Sequence, residues 1–174
     1  KKINFSIFPG ESAIILGRSG AGKGLLLRLF AGLFKPTSGG VHWSGMAIDG
    51  LEYPKRQELQ RHMGFIFDGK TGLLPNLNLF ENIILPLAYF GEPPTTAKAI
   101  IQRYIDDFKL PIQENFWELY PYQCTHFTYT LAQVFRSVLT GPKILLLDNP
   151  FNTQGIKIAQ MLFEFLGNLR DRLG

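Results

Sequence analysis

At 174 residues the chain is long enough to bury one sizeable core and too short for two independent domains. Hydrophobic residues make up 45% and charged residues 18%, which excludes a disordered segment, and the single cysteine, Cys124, excludes an internal disulfide framework and favours a reducing compartment. The net charge of +4 comes from basic residues scattered along the chain, so an ordinary solvated surface is expected and not a nucleic-acid interface.

Residues 3–8 alternate apolar and polar before Pro9-Gly10 and read as a half-buried strand and a turn. Lys1-Lys2 is a basic start, but Pro9, Gly10 and Glu11 interrupt what would be a signal-peptide core, so no targeting segment is expected. Ser12 to Leu16 is a short apolar run of the kind found in a strand covered on both faces. A glycine-rich stretch follows, then a helical pattern from Leu25 to Leu33 that ends at Gly32 and Pro36. Turn residues around Val41-His42-Trp43 and Ala47-Ile48 predict a hairpin, and Met63 to Phe67 predicts a buried strand. Three helices are expected between residues 69 and 136: one around Leu79 to Ile84, one over Ala97 to Phe108, and one from Thr128 running on to Leu139. Pro86, Gly91, Pro93 and Pro94 break the most apolar region well short of the ~20 residues needed to span a bilayer, so any membrane role is expected to be peripheral. Ile144 to Leu147 returns to a buried strand, and Lys157 to Arg170 reads as a final amphipathic helix.

The chemistry centres on Gly17-Arg18-Ser19-Gly20-Ala21-Gly22-Lys23-Gly24, which matches the phosphate-loop pattern G-x-x-x-x-G-K-[ST] at every position but the last. Its glycines let consecutive backbone N–H groups turn inward around phosphate oxygens, the following helix adds partial positive charge at its N-terminus, and Lys23 reaches the terminal phosphates. The motif sits between a predicted strand and a predicted helix, the context it requires. A glycine-rich turn with a chance lysine is the competing reading, and it does not account for that context.

With its surroundings the loop resembles that of an ABC transporter ATPase, and the resemblance runs over essentially the whole chain. Ile7-Phe8-Pro9-Gly10-Glu11 is similar to the segment leading into the phosphate loop, and Lys35-Pro36-Thr37-Ser38-Gly39-Gly40 to the piece after its helix. Gly141-Pro142-Lys143-Ile144-Leu145-Leu146-Leu147-Asp148 is similar to the approach to the Walker B aspartate. Gly72-Leu73-Leu74, Leu79 to Leu87 and Pro150-Phe151-Asn152-Thr153-Gln154 look like the narrower group that powers phospholipid transport with mammalian-cell-entry proteins, the maintenance-of-lipid-asymmetry type. The resemblance implies an α/β P-loop fold of RecA type, with a parallel-sheet nucleotide-binding core from residues 1–68 and 137–174 and an inserted helical subdomain from 69–136. It places Lys23 and Asp148 side by side at the C-terminal ends of their strands. It also implies ATP and Mg²⁺ as ligands, a transmembrane permease subunit and a second ABC ATPase subunit as partners, and a peripheral place on the cytoplasmic face of a membrane.

The chain departs from that family where catalysis is concentrated. Gly24 stands where a Ser or Thr hydroxyl would ligate Mg²⁺. Asp68 stands at the glutamine position that contacts metal and attacking water; a carboxylate there is able either to ligate Mg²⁺ or to repel the phosphates. Asp148 keeps the metal-holding carboxylate, but Asn149 replaces the glutamate that polarises the hydrolytic water. An amide cannot accept that proton at neutral pH. The signature motif, Leu-Ser-Gly-Gly-Gln in typical members, falls on Cys124-Thr125-His126-Phe127-Thr128, where His126 and Phe127 put side chains in place of glycines that close on the opposite protomer's phosphate. Gly155 falls where an aspartate is expected.

The chain begins after the position of the family's adenine-stacking aromatic and ends before the strand that carries its switch histidine, a role that none of His42, His62 or His126 fills by position. It therefore reads as a fragment of a longer subunit. Three functions compete on these residues: an ATP-binding subunit with impaired hydrolysis, which is favoured; an active motor in which Asp68 and water compensate; and a structural or regulatory pseudo-ATPase without nucleotide. A P-loop kinase fits the Walker B spacing and the helical insertion less well.

Overall fold

Two parallel strands and the helices threaded between them organise the chain, and the computed structural model describes residues 3–66, 72–150 and 156–173. Helix α1 spans Lys23–Phe30, strands β1 His42–Trp43 and β2 Met46–Ala47 form a hairpin, helix α2 spans Tyr53–Arg61, and strand β3 spans Met63–Ile66. Helices α3 Leu79–Tyr89, α4 Ala97–Asp107 and α5 His126–Val138 follow, with short 3₁₀ turns at Pro94–Thr96, Phe116–Glu118 and Pro121–Gln123. Strand β4 Ile144–Leu147 and helix α6 Ile156–Leu173 complete the order.

Strand β3 pairs in parallel with β4, Met63 opposite Ile144 through Ile66 opposite Leu147. Parallel neighbours need a long crossover, and here it carries α3, α4 and α5. Helix α5 is the centre of the core: every residue from Thr128 to Phe135 is buried. Ser137 Oγ donates to Phe65 O at 3.1 Å, which ties α5 to β3. The close approach explains Gly64, since a Cβ there would lie 2.7 Å from Ser137 O. Around α5, Phe116, Phe135 and Phe165 pack edge to face, with Phe116 and Phe135 centroids 6.0 Å apart, joining α5 to α6. Among the described residues no helix is long and apolar enough to cross a membrane.

The hairpin follows from its turn. Ser44 and Gly45 both have positive φ, 48° and 79°, the geometry of a two-residue turn whose twist matches the flanking strands. Asp49 Oδ1 accepts the Val41 N–H at 2.7 Å, and that bond is the chief reason the Asp49 carboxyl titrates below its ordinary value. A folded-state pKa below the unfolded one gives stability that is present above the unfolded value and lost as pH falls through the folded one. Acidification below the ordinary carboxylate range is therefore expected to loosen the hairpin, and Asp49→Ala to loosen it at neutral pH, as read from the Val41 and Ile48 amide shifts by NMR.

Two expectations about the backbone are corrected. Residues 3–8 and 12–16 do not form strands: among the described residues no strand pairs with them, and Ile14 and Leu16 are 72% and 87% exposed. An apolar run becomes a strand only where a neighbour supplies the ladder. Helix α3 begins at Leu79, where the apolar spacing puts it, and continues through Pro86 to Tyr89. The proline stands near the end of α3 and costs the helix one backbone bond.

Candidate functional site

The loop from Gly17 to Gly22 reaches α1 through two glycines with positive φ, Gly20 at 76° and Gly22 at 90°, the latter capping the helix. Only glycine takes these conformations freely. The Ala21 N–H donates to Arg18 O at 3.2 Å, closing the turn. Helix α1 has neither a side-chain cap bond nor an acidic residue in its first turn, so its first N–H groups and the positive end of its dipole are left for an anion. The Lys23 ammonium folds back over the loop and donates to Gly17 O at 2.7 Å and Arg18 O at 3.0 Å. Phosphate oxygens entering the loop would take over those bonds.

Asp148 and Asn149 follow the last residue of β4. The Asp148 N–H donates to Ile66 O at 2.9 Å, extending the parallel ladder by one bond and fixing where the carboxylate leaves the sheet. Asn149 then turns with φ 50°, a left-handed conformation that asparagine tolerates better than most residues. The phosphate loop, Lys23, Gly24, Arg28, Asp148 and Asn149 line one open cleft of about 320 Å³. The sequence expected Lys23 and Asp148 together at the strand ends, and both do line this cleft.

The cleft also holds a residue that the motif did not single out. Arg28 Nη1 lies 4.0 Å from Asp148 Oδ2. Position 28 is one helical turn beyond Gly24 and shares its face, but only the fold brings Asp148 against it. A Cβ at Gly24 would lie 2.6 Å from Asp148 Oδ2 and 3.2 Å from Arg28 Nη1. Glycine is thus what lets the carboxylate close against α1.

The signature stretch lies at the foot of α5, outside the cleft wall. Thr125 Oγ1 accepts the Thr128 N–H at 3.1 Å, so the hydroxyl caps α5, and Thr125 Oγ1 lies 2.8 Å from Thr128 Oγ1. Phe127 packs against the core. His126 is half-buried, and its Nδ1 has no hydrogen-bond partner among the described residues. Just before them Cys124 is buried, its thiol donating to Tyr120 O at 3.3 Å. Asp68 and residues 151–155, which include Gly155, lie outside the described residues.

The Mg²⁺ implied by the resemblance can be tested against these groups. The cation takes about six oxygen ligands in octahedral geometry. Around the cleft the described residues offer one carboxylate, Asp148, already approached by a guanidinium, with no hydroxyl at 24 and an amide at 149. No group of three or more potential metal ligands occurs among the described residues. Mg²⁺ keeps several waters and takes one or two carboxylates beside phosphate oxygens, so among the described residues Asp148 is the group that would hold it, in competition with Arg28.

A family model described as ABC transporter matches residues 1–152. The chain is 30% identical over 175 residues to the ABC transporter ATP-binding protein YtrE of Bacillus subtilis, covering 100% of this chain and 74% of that protein. It is 32% identical over 167 residues to the lipoprotein-releasing system ATP-binding protein LolD of Hydrogenovibrio crunogenus, covering 95% of this chain and 71% of that one. Among solved structures, the dimeric post-hydrolysis state of the ATP-binding cassette MJ0796 bound to ADP and Pi superposes with a TM-score of 0.86 at 26% identity, covering 99% of this chain and 75% of that chain. The α/β fold is accordingly that of an ATP-binding cassette. Matched by the family model over most of its length and by relatives of which it spans more than two thirds, the chain belongs to the ABC transporter family as an ATP-binding domain.

Proposed function

We propose that this ATP-binding domain holds ATP or ADP on the Gly17–Gly24 loop but hydrolyses it far more slowly than an intact cassette. The observation that carries this reading is the pairing of a well-formed phosphate loop with Asn149 at the cleft. Lys23 and the first N–H groups of α1 bind and orient phosphates, a task that needs no proton transfer. The Asn149 amide can hold a water by hydrogen bonds but cannot take its proton, which forgoes the ~10²–10⁴-fold that general-base assistance supplies. His126 and Phe127 add bulk where glycine backbone would close over a phosphate, and such closure is what completes sites of this kind.

In this reading residues 1–68 and 137–174 form the nucleotide-binding core, and residues 69–136 form a helical subdomain that docks on a transmembrane permease at the cytoplasmic face of a membrane. A second ABC ATPase subunit completes the motor. Phospholipid or another hydrophobic substrate is the proposed cargo, supported by the likeness of the 72–87 and 150–154 segments to lipid-asymmetry transporters and by a relative named for lipoprotein release. The test is equilibrium binding of ATP and ADP alongside steady-state phosphate release. Wild type is expected to bind nucleotide, to lose at least tenfold in affinity as Lys23→Ala, and to release phosphate near background. Turnover in the usual enzymatic range of roughly 1–10³ s⁻¹, abolished by Lys23→Ala, would instead identify a working motor. Absence of nucleotide binding would identify a structural subunit.

A further inference from the structure

A nucleotide site with no hydroxyl at position 24 still has to balance the charge of the phosphates, and the cleft contains a group other than a metal placed to do so. Arg28 stands on α1 within the cleft that Lys23, Asp148 and Asn149 line, with its Nη1 4.0 Å from Asp148 Oδ2. The pair occupies the space a side chain at 24 would need: a Cβ there would lie 2.6 Å from the carboxylate oxygen and 3.2 Å from the guanidinium nitrogen. The missing hydroxyl and the presence of the pair are therefore one structural fact. Asn149, a neutral amide, adds no negative charge to the cleft. Of the charged residues lining the cleft, Lys23 and Arg28 outnumber Asp148, so the site is net positive without any divalent ion.

A guanidinium suits this task. It stays charged at every physiological pH, is more weakly hydrated than an ammonium, and offers up to five N–H donors in a fork that matches phosphate oxygens. It would also repel a divalent cation approaching Asp148.

We propose, on the basis of the nucleotide-binding reading above, that Arg28 takes the place of the divalent cation, neutralising Asp148 and facing the phosphates, so that nucleotide binding is independent of metal. The test measures ATP and ADP affinity by calorimetry in EDTA and in saturating Mg²⁺. Wild-type dissociation constants are expected to agree within about twofold between the two buffers. Arg28→Gln, on a partly exposed helical position, should weaken binding at least tenfold in EDTA and regain most of it in Mg²⁺, because Asp148 is then free to hold the ion. Arg28→Lys, which keeps the charge, should stay metal-independent. Gly24→Thr should displace the pair and introduce Mg²⁺ dependence. Wild-type binding tightened more than tenfold by Mg²⁺ would overturn this inference while leaving the nucleotide-binding reading intact. Arg28→Gln binding like wild type in both buffers would do the same. A wild type that binds no nucleotide in either buffer would overturn both.

Discussion

Asn149→Glu alone is expected to leave phosphate release near background, whereas the variant that combines it with Gly24→Thr, His126→Gly and Phe127→Gly should raise turnover by two or more orders of magnitude. The reason is that groups acting as one catalytic unit are strongly non-additive: a base gains little while the closure it works within is missing. General-base assistance alone is worth about 10²–10⁴-fold once the rest is in place. The structure adds two conditions. Position 149 has φ 50°, so a glutamate there bears a strain of roughly 1–2 kcal/mol that asparagine largely avoids. A threonine at 24 cannot coexist with Asp148 where it now lies, so Asp148 and Arg28 must draw back before a metal can enter. Phe127 packs against the core, and its loss lowers stability; the variant is therefore first checked by urea unfolding. Phosphate release is then measured with the permease present. Full turnover restored by Asn149→Glu alone would show that the signature stretch and position 24 were not limiting.

The largest stability effect is expected at Asn82. This side chain is fully buried on α3 and hydrogen-bonds to the backbone of residues 74–78. Its Oδ1 accepts the Leu74 N–H at 2.7 Å, and the two N–H groups of its Nδ2 are shared among Leu74 O at 3.0 Å, Leu77 O at 2.9 Å and Asn78 O at 3.0 Å. The amide thus stands in for the sheet or helix that residues 74–78 lack. Asn82→Ala removes these bonds and takes from Leu74 N–H and Leu77 O the partners they have here, whereas Leu74 O keeps the Leu77 N–H and Asn78 O the Asn82 N–H. Each lost partner costs about 1–3 kcal/mol where water cannot enter. A loss of roughly 3 kcal/mol in unfolding free energy by urea titration is expected, large against the ~5–15 kcal/mol that holds a domain folded. A loss under about 1 kcal/mol would mean that the 74–78 segment opens to water and satisfies itself.

Local patterns carried much of this structure. The hairpin, β3, β4 and five helices, α1, α3, α4, α5 and α6, fall close to where apolar spacing and turn residues put them, because each is specified by residues within it. The strand expected at 12–16 depended on a partner distant in sequence. Ser12 to Leu16 reads as a strand yet finds no ladder among the described residues. The Asn78 and Glu81 side chains form a reciprocal cap at the start of α3, a short-range signal present in the sequence that the apolar spacing alone passed over. In the site, the phosphate loop is legible because its glycines encode backbone geometry directly. Arg28 is not, because its significance arises only when Asp148, some 120 residues later in the chain, is folded against α1.

The burial of Cys124 has a practical consequence. It is the chain's single thiol, it lies immediately before the cap of α5, and it is 6% exposed. Alkylating reagents attack the thiolate, and they can reach it only when this end of α5 moves away from the core. The rate of Cys124 labelling is therefore a clock for local opening at the signature stretch, with no engineered probe and no competing cysteine. Run beside global unfolding, the clock separates a motion confined to the foot of α5 from loss of the whole domain.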